Sequence, residues 1–292
     1  MYIQDFFRLV RWKNLVIVGL TQMCAVVSFL HWPIQDILSQ YHLYVFVFST
    51  ICITAAGYII NDYLDVNIDQ INKPQNVIIG STITRKSAIK LHVGLTFLGF
   101  VLALLISPWL LMVEILTAIV LVKYSSSFKR QFLIGNSIVA ILCGLILPIL
   151  YLWNNLLSVK LLLVYAVFSI WITLIREIIK DMEDIKGDRM EDCRTLPIVL
   201  GMKLTKNIIY ILLIGLVLSS ISFFTFSSYF NFYNHQLEFY YSLYGVILIE
   251  LPLLFTIYKL KHAVITKDYG YISTLLKWVM LAGILSMIFF RF

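Results

Sequence analysis

Long apolar runs, each close to the length of one bilayer crossing and each closed by charged or proline-bearing punctuation, set the pattern of this chain. They fall near residues 14–31, 43–60, 88–106, 109–124, 133–152, 159–176, 206–228, 239–258 and 273–290. These runs predict nine transmembrane helices in an all-α polytopic membrane protein, because barrel strands would alternate apolar and polar residues over about 10 positions instead. Ser107-Pro108 lies between the third and fourth runs and marks a hairpin, since proline cannot continue a helix from its N-terminal side. Only two polar loops are long, near 61–87 and 177–205, and four spans separate the helices that lead into them. The chain thus presents two similar units, each an apolar helix, an acidic run and a basic loop, within a single domain over 1–292.

Composition sharpens this picture. Of 292 residues 60% are hydrophobic and 13% charged, with a mean hydropathy of +0.88, which excludes an ordinary water-soluble domain. The net charge of +7 could suggest nucleic acid, but the basic residues sit beside helix ends. With nine spans, 20 of the 23 Lys and Arg residues fall on one side, leaving Lys160, Arg291 and the in-span Lys277. The positive-inside rule makes that side cytoplasmic, together with the N-terminus and both acidic runs, and a multi-pass protein of the cell membrane is expected. Trp32-Pro33-Ile34-Gln35-Asp36 follows the first span without a small-residue cleavage pattern, so that span is expected to stay as a helix. Cys24, Cys52, Cys143 and Cys193 lack paired or metal-ligand spacing and read as free thiols.

Half of the 16 acidic residues lie in 61–69 and 177–188. If the second helix continues through the first run, Asn61, Asp65 and Asp69 share one face and Asp62 points partly away. Asp181, Asp184 and Asp188 share a face in the second run, with Glu177 one turn earlier. Each helix then offers a stripe of hard oxygen ligands. Mg2+ takes one or two carboxylates completed by water and phosphate oxygens, so two facing stripes suit metal ions bound together with a diphosphate. A solvated or salt-bridged helix end is the bland alternative, but it must account for two stripes in a chain poor in acid. Lys129, Arg130 and Arg194 are the first candidates to meet phosphate oxygens, followed by Lys73, Arg85, Lys180 and Arg189.

The motifs Asn61-Asp62-x-x-Asp65-x-x-x-Asp69 with Ile71-Asn72-Lys73-Pro74, Tyr124-Ser125 with Lys129-Arg130 and Gly135-Asn136, and Arg176-Glu177-x-x-x-Asp181-x-x-Asp184-x-x-Gly187-Asp188 with Arg194-Thr195-Leu196-Pro197 resemble the UbiA superfamily of intramembrane prenyltransferases. The resemblance covers essentially the whole chain. It implies nine helices around a central cavity with a cytoplasmic cap, and Mg2+ bound by Asn61, Asp65, Asp184 and Asp188, with Asp69 and Asp181 assisting directly or through water. It also implies that Lys129, Arg130, Arg194 and Lys73 contact the diphosphate of a polyprenyl donor, and that Asp65, Asp69, Asp181 and Lys129 carry the catalysis. The form of the second motif and the Ile-Asn-Lys-Pro tail are most similar to the digeranylgeranylglyceryl phosphate synthase branch, whose acceptor is a prenylated glycerol phosphate. Quinone precursors, and cyclisation without an acceptor, are the alternatives that the same donor machinery allows. The implied partners are a prenyl diphosphate, a lipophilic acceptor and the bilayer, with no nucleic acid. A transporter would place its acids deep within spans, where only Glu114 and Glu250 are candidates.

Overall fold

Backbone that crosses hydrocarbon must satisfy its own N–H and C=O groups, and helices do so within one segment. The computed structural model describes residues 3–72, 74–225 and 235–291, and their long elements are all helices. In chain order these are α1 (Ile3–Leu9), α2 (Trp12–Phe29), α3 (Ile34–Leu38), α4 (Tyr41–Leu64), α5 (Val66–Asn72), α6 (Arg85–Ile106), α7 (Pro108–Ser126), α8 (Ile134–Leu145), α9 (Val159–Met190), α10 (Leu196–Thr225), α11 (His235–Gly245), α12 (Leu251–His262) and α13 (Thr266–Ser286). Large apolar side chains such as Phe97, Leu105, Trp109, Ile211 and Trp278 face outward. Hydrocarbon solvates them as well as a core would, so their exposure marks the lipid-facing surface of a multi-pass membrane protein.

Eight helical segments among the described residues are long and apolar enough to span a bilayer. The predicted fifth span, 133–152, differs. It is broken into α8 and a 3-10 turn, Pro148–Leu152, because Pro148 has no N–H to give to the carbonyl of Gly144 and its ring crowds that carbonyl. The eighth span is continuous but irregular: a π-helical turn, Val246–Glu250, joins α11 to α12 just ahead of Pro252, where the missing N–H forces the helix to adjust its hydrogen bonds. The predicted hairpin at Ser107-Pro108 is present. Ser107 Oγ accepts from Trp109 N at 3.1 Å, and Pro108 occupies the first position of α7.

Two packing features place the site. Gly144 lets α8 lie so close to α9 that a Cβ there would come 2.3 Å from the Ile170 side chain. Ser49 of α4 joins three helices, with its Oγ 2.9 Å from Gly99 O of α6 and 2.6 and 2.7 Å from the two oxygens of Glu114 on α7. Glu114 is therefore a partnered acid in a helix contact. Ser49→Ala removes its partner without changing the backbone, and is expected to lower stability by about 1–3 kcal/mol, read as a lower unfolding midpoint in detergent.

Candidate active site

A cavity of about 920 Å³ opens between α2, α4, α7, α8, α9, α10 and α13. Its deep end is apolar, with Leu142, Ile146, Phe168 and Phe223 in the wall, and its other end is lined by Asn61, Asp65, Asp69, Asp181, Asp184 and Asp188. The two acidic runs, far apart in sequence, thus meet at one mouth. This size is ample for a lipid-like ligand with a charged head.

The first run is not on one unbroken helix, as its spacing predicts. α4 ends at Leu64, and Asp65 (φ −95°, ψ 3°) forms a one-residue joint before α5. That backbone region is sparsely populated and recurs at functional positions. Helical spacing nevertheless survives the joint, because Asp65 N donates to Asn61 O at 3.0 Å and Asp69 N to Asp65 O at 2.9 Å. Asp65 is buried; its Oδ2 accepts from Asn61 Nδ2 at 2.8 Å, and its Oδ1 contacts the ammonium of Lys129. Asp62 also lines the cavity rather than turning from it, and is bound by Arg11 Nη2 at 2.7 Å.

The second run does lie on one helix, since α9 continues for 32 residues, well past the predicted end of its span. Asp181 Oδ2 accepts from Asn136 Nδ2 of α8 at 2.8 Å, and Glu177 accepts from Lys180 at 2.9 Å and Arg176 at 3.1 Å. The two runs are clamped by Asn72, whose Oδ1 accepts from Gly187 N at 2.9 Å. Gly187 is required by that approach: a Cβ would come 2.4 Å from Asn72 Nδ2. Asn72, Gly187 and Asn136 appear in the sequence motifs, but their clamping contacts join distant segments and spacing alone does not reveal them. Arg11 reads in sequence as a topology residue only.

The predicted phosphate contacts separate into groups. Lys129 lines the cavity and is mostly buried, and that burial, followed by the neighbouring Arg130 guanidinium, lowers its amine to about 8. It is still mostly charged at neutral pH. Arg130 and Arg194 are not among the cavity-lining residues. They are exposed at the rim, where Arg194 N donates to Arg130 O at 2.8 Å and Arg130 lies 3.7 Å from Glu191. Lys73 lies outside the described residues. Lys180 lines the cavity, whereas Arg85 stacks on the Tyr63 ring at 5.3 Å. Cys193 also faces the site, but burial raises its thiol to about 11 and keeps it protonated; all four cysteines are free.

This donor set fits Mg2+. It is made of hard oxygens, and among the described residues no three Asp, Glu, His or Cys side chains converge into a protein-only metal cage. Mg2+ characteristically takes one or two protein carboxylates and fills its octahedron with water and phosphate oxygens. The Lys129 ammonium against Asp65 shows that this carboxylate already holds a positive charge.

A model of the UbiA prenyltransferase family matches residues 21–287. The digeranylgeranylglyceryl phosphate synthase of Methanosphaera stadtmanae is 35% identical over 184 residues, which are 61% of this chain and 66% of that protein. A solved structure described as giving insight into digeranylgeranylglyceryl phosphate synthase in membranes aligns with a TM-score of 0.65 at 26% identity, covering 98% of both chains. A UbiA homolog from Archaeoglobus fulgidus, solved with DMAPP and Mg2+, shares the fold with a TM-score of 0.61 at 15% identity, over 97% of this chain and 99% of that one.

Proposed function

Because this chain belongs to the UbiA prenyltransferase family, we propose that it transfers a polyprenyl group from an allylic prenyl diphosphate to the free hydroxyl of a prenylated glycerol phosphate, with Mg2+ bound at the two acidic runs. The observation that carries this reading is the cavity itself, in which Asn61, Asp65, Asp69, Asp181, Asp184 and Asp188 line one end and apolar side chains the other. A diphosphate head and a prenyl tail need that polarity. The acceptor comes from the relatives, since both the Methanosphaera stadtmanae protein and the 26% identical structure are described as digeranylgeranylglyceryl phosphate synthases. The metal is supported by the oxygen donor set and by the Archaeoglobus fulgidus homolog, which binds Mg2+ together with DMAPP.

In this mechanism Asn61, Asp65, Asp184 and Asp188 hold the metal, while Asp69 and Asp181 act directly or through water. Bound there, Mg2+ supplies Lewis-acid stabilisation of the departing diphosphate. Lys129 moves from Asp65 to a phosphate oxygen and adds a buried positive charge, worth more there than in water. Asn136 holds Asp181 in place, and Asn72 fixes α5 on α9. Arg130 and Arg194 act from the rim, with Lys73 a further candidate. The allylic C–O bond breaks with its electron pair leaving on the diphosphate. The acceptor hydroxyl oxygen then bonds to that carbon, and its proton passes to a diphosphate oxygen. The apolar deep wall keeps water from the cation.

In this reading the whole chain is one domain, and the weight of Lys and Arg on one set of loops supports a cytoplasmic position for the acidic end and the N-terminus in the cell membrane. Incubation of the purified protein with geranylgeranyl diphosphate, Mg2+ and a panel of geranylgeranylglyceryl phosphate, hydroxybenzoate, dihydroxynaphthoate and haem tests the reading by mass analysis. Product from the first acceptor is expected, and product from another acceptor alone would refute it. Chelating the metal with EDTA is expected to stop turnover, and Mg2+ to restore it.

A further inference from the structure

Lys277 lies inside the last transmembrane helix, outside both acidic runs in sequence, and the donor chemistry makes no use of it. A lysine at that depth is costly unless something answers its charge, which makes it a functional residue by default. It is half-buried and lines the cavity, while the next residue, Trp278, faces outward. Its Nζ donates to Asn14 Oδ1 at 2.5 Å, and Asn14 Nδ2 in turn donates to Tyr58 OH at 3.3 Å. The partner that holds the ammonium is therefore neutral. Arg176, Lys13 and Lys180 are cations close enough to act on it, and all three line the same cavity, with Glu177 bound between Arg176 and Lys180 and Lys13 exposed beside the Trp12 ring.

These four cations share one wall, built from the start of α2, the middle of α9 and α13. Glu177, bound by both Arg176 and Lys180, is the carboxylate that their hydrogen bonds reach. Arg176 keeps Nε buried without an acceptor among the described residues, although the side chain lines the cavity. One carboxylate does not balance four cations, and the charge left over on a partly buried wall calls for a further anion. In the proposed reaction the donor diphosphate would be answered elsewhere, by the metal that the acidic runs would hold and by Lys129, which contacts Asp65.

From this geometry we infer that Lys277, Lys13, Arg176 and Lys180, with Asn14, form a second anion site on the α2–α9–α13 wall, which binds the phosphate monoester of the lipid acceptor. The inference rests on the proposed function and deepens it. Two anions enter the cavity in that reaction, the diphosphate that leaves and the phosphate that stays on the product, and each needs its own counter-charge.

The test compares wild type with Lys277→Met, Lys277→Gln and Lys277→Arg in a neutral detergent, with the unfolding midpoint of each recorded. Equilibrium binding of geranylgeranylglyceryl phosphate, of the same lipid without its phosphate, of phosphatidic acid and of geranylgeranyl diphosphate with Mg2+ is measured beside KM for donor and acceptor. Lys277→Met and Lys277→Gln are expected to weaken binding of the phosphorylated acceptor and raise its KM by roughly tenfold or more. Donor binding and binding of the unphosphorylated lipid should stay within about twofold, and Lys277→Arg should keep most of the affinity. Unchanged acceptor affinity in both neutral variants, or an equal loss for the donor, would overturn the site. Phosphatidic acid binding as tightly, and as dependent on Lys277, would overturn the assignment to the acceptor. If the phosphorylated lipid binds through Lys277 but receives no prenyl group, the anion site stands and the proposed reaction falls. If transfer proceeds and is indifferent to Lys277, the reaction stands and the anion site falls.

Discussion

Asp184→Ala is expected to lower prenyl transfer by roughly 10³-fold or more, because a site that stabilises a departing diphosphate through metal loses the ion when a carboxylate ligand goes. Asp184 is only half-buried on a 32-residue helix, so its removal leaves α9 formed and the protein folded. Asp65→Ala should be as damaging to activity, but it also strands the buried Lys129 ammonium that contacts Asp65. A buried charge that loses its partner is costly, so the larger fall in midpoint is expected for that variant. The contrast is itself informative: equal loss of activity with unequal loss of stability separates metal binding from packing. Turnover by either purified variant within tenfold of wild type would remove its carboxylate from the metal site.

The second large effect is expected at a residue that touches neither metal nor substrate. Gly187→Leu places a side chain where Asn72 lies against α9, since even a Cβ would come 2.4 Å from Asn72 Nδ2. α5 must then move off α9, carrying Asp69 and the Asp65 joint away from Asp184 and Asp188. A displacement of about 1 Å at reacting groups can cost roughly 10²-fold in rate, and that is the loss expected in kcat/KM. Replacing glycine inside a helix favours the helix by about 0.5–1 kcal/mol, so the protein should remain folded. Asn72→Ala, which removes the hydrogen bond without inserting bulk, should cost less. If Gly187→Leu retains wild-type turnover, the α5–α9 contact does not position the acids.

What could be read from the sequence is what local periodicity carries. Apolar runs gave the helices and their number to within one broken segment, and spacing by three and four residues grouped Asp181, Asp184 and Asp188. The break in 133–152 was within reach, because Pro148 is the same signal that marked Ser107-Pro108, but a hairpin and a 3-10 turn differ only in what packs around them. The joint at Asp65 leaves no compositional trace, as no glycine or proline adjoins it. Arg130 and Lys129 are adjacent in sequence yet diverge, one to the rim and one into the cavity, because the short 3-10 turn Phe128–Arg130 aims them differently. Lys277 stood out as a charge within a span, but its meaning depends on Asn14, 263 positions away in the chain. Contacts of that range form only once the helices pack.

The most direct test of the central claim, that both acidic runs form one metal-dependent diphosphate site, is equilibrium binding of a non-hydrolysable prenyl thiodiphosphate with and without Mg2+. Wild type is expected to bind about 100-fold more tightly when Mg2+ is present, and Asp65→Ala and Asp184→Ala, one from each run, are each expected to lose that gain. Binding that ignores Mg2+ in wild type, or a Mg2+ gain that survives in either variant, would contradict the account.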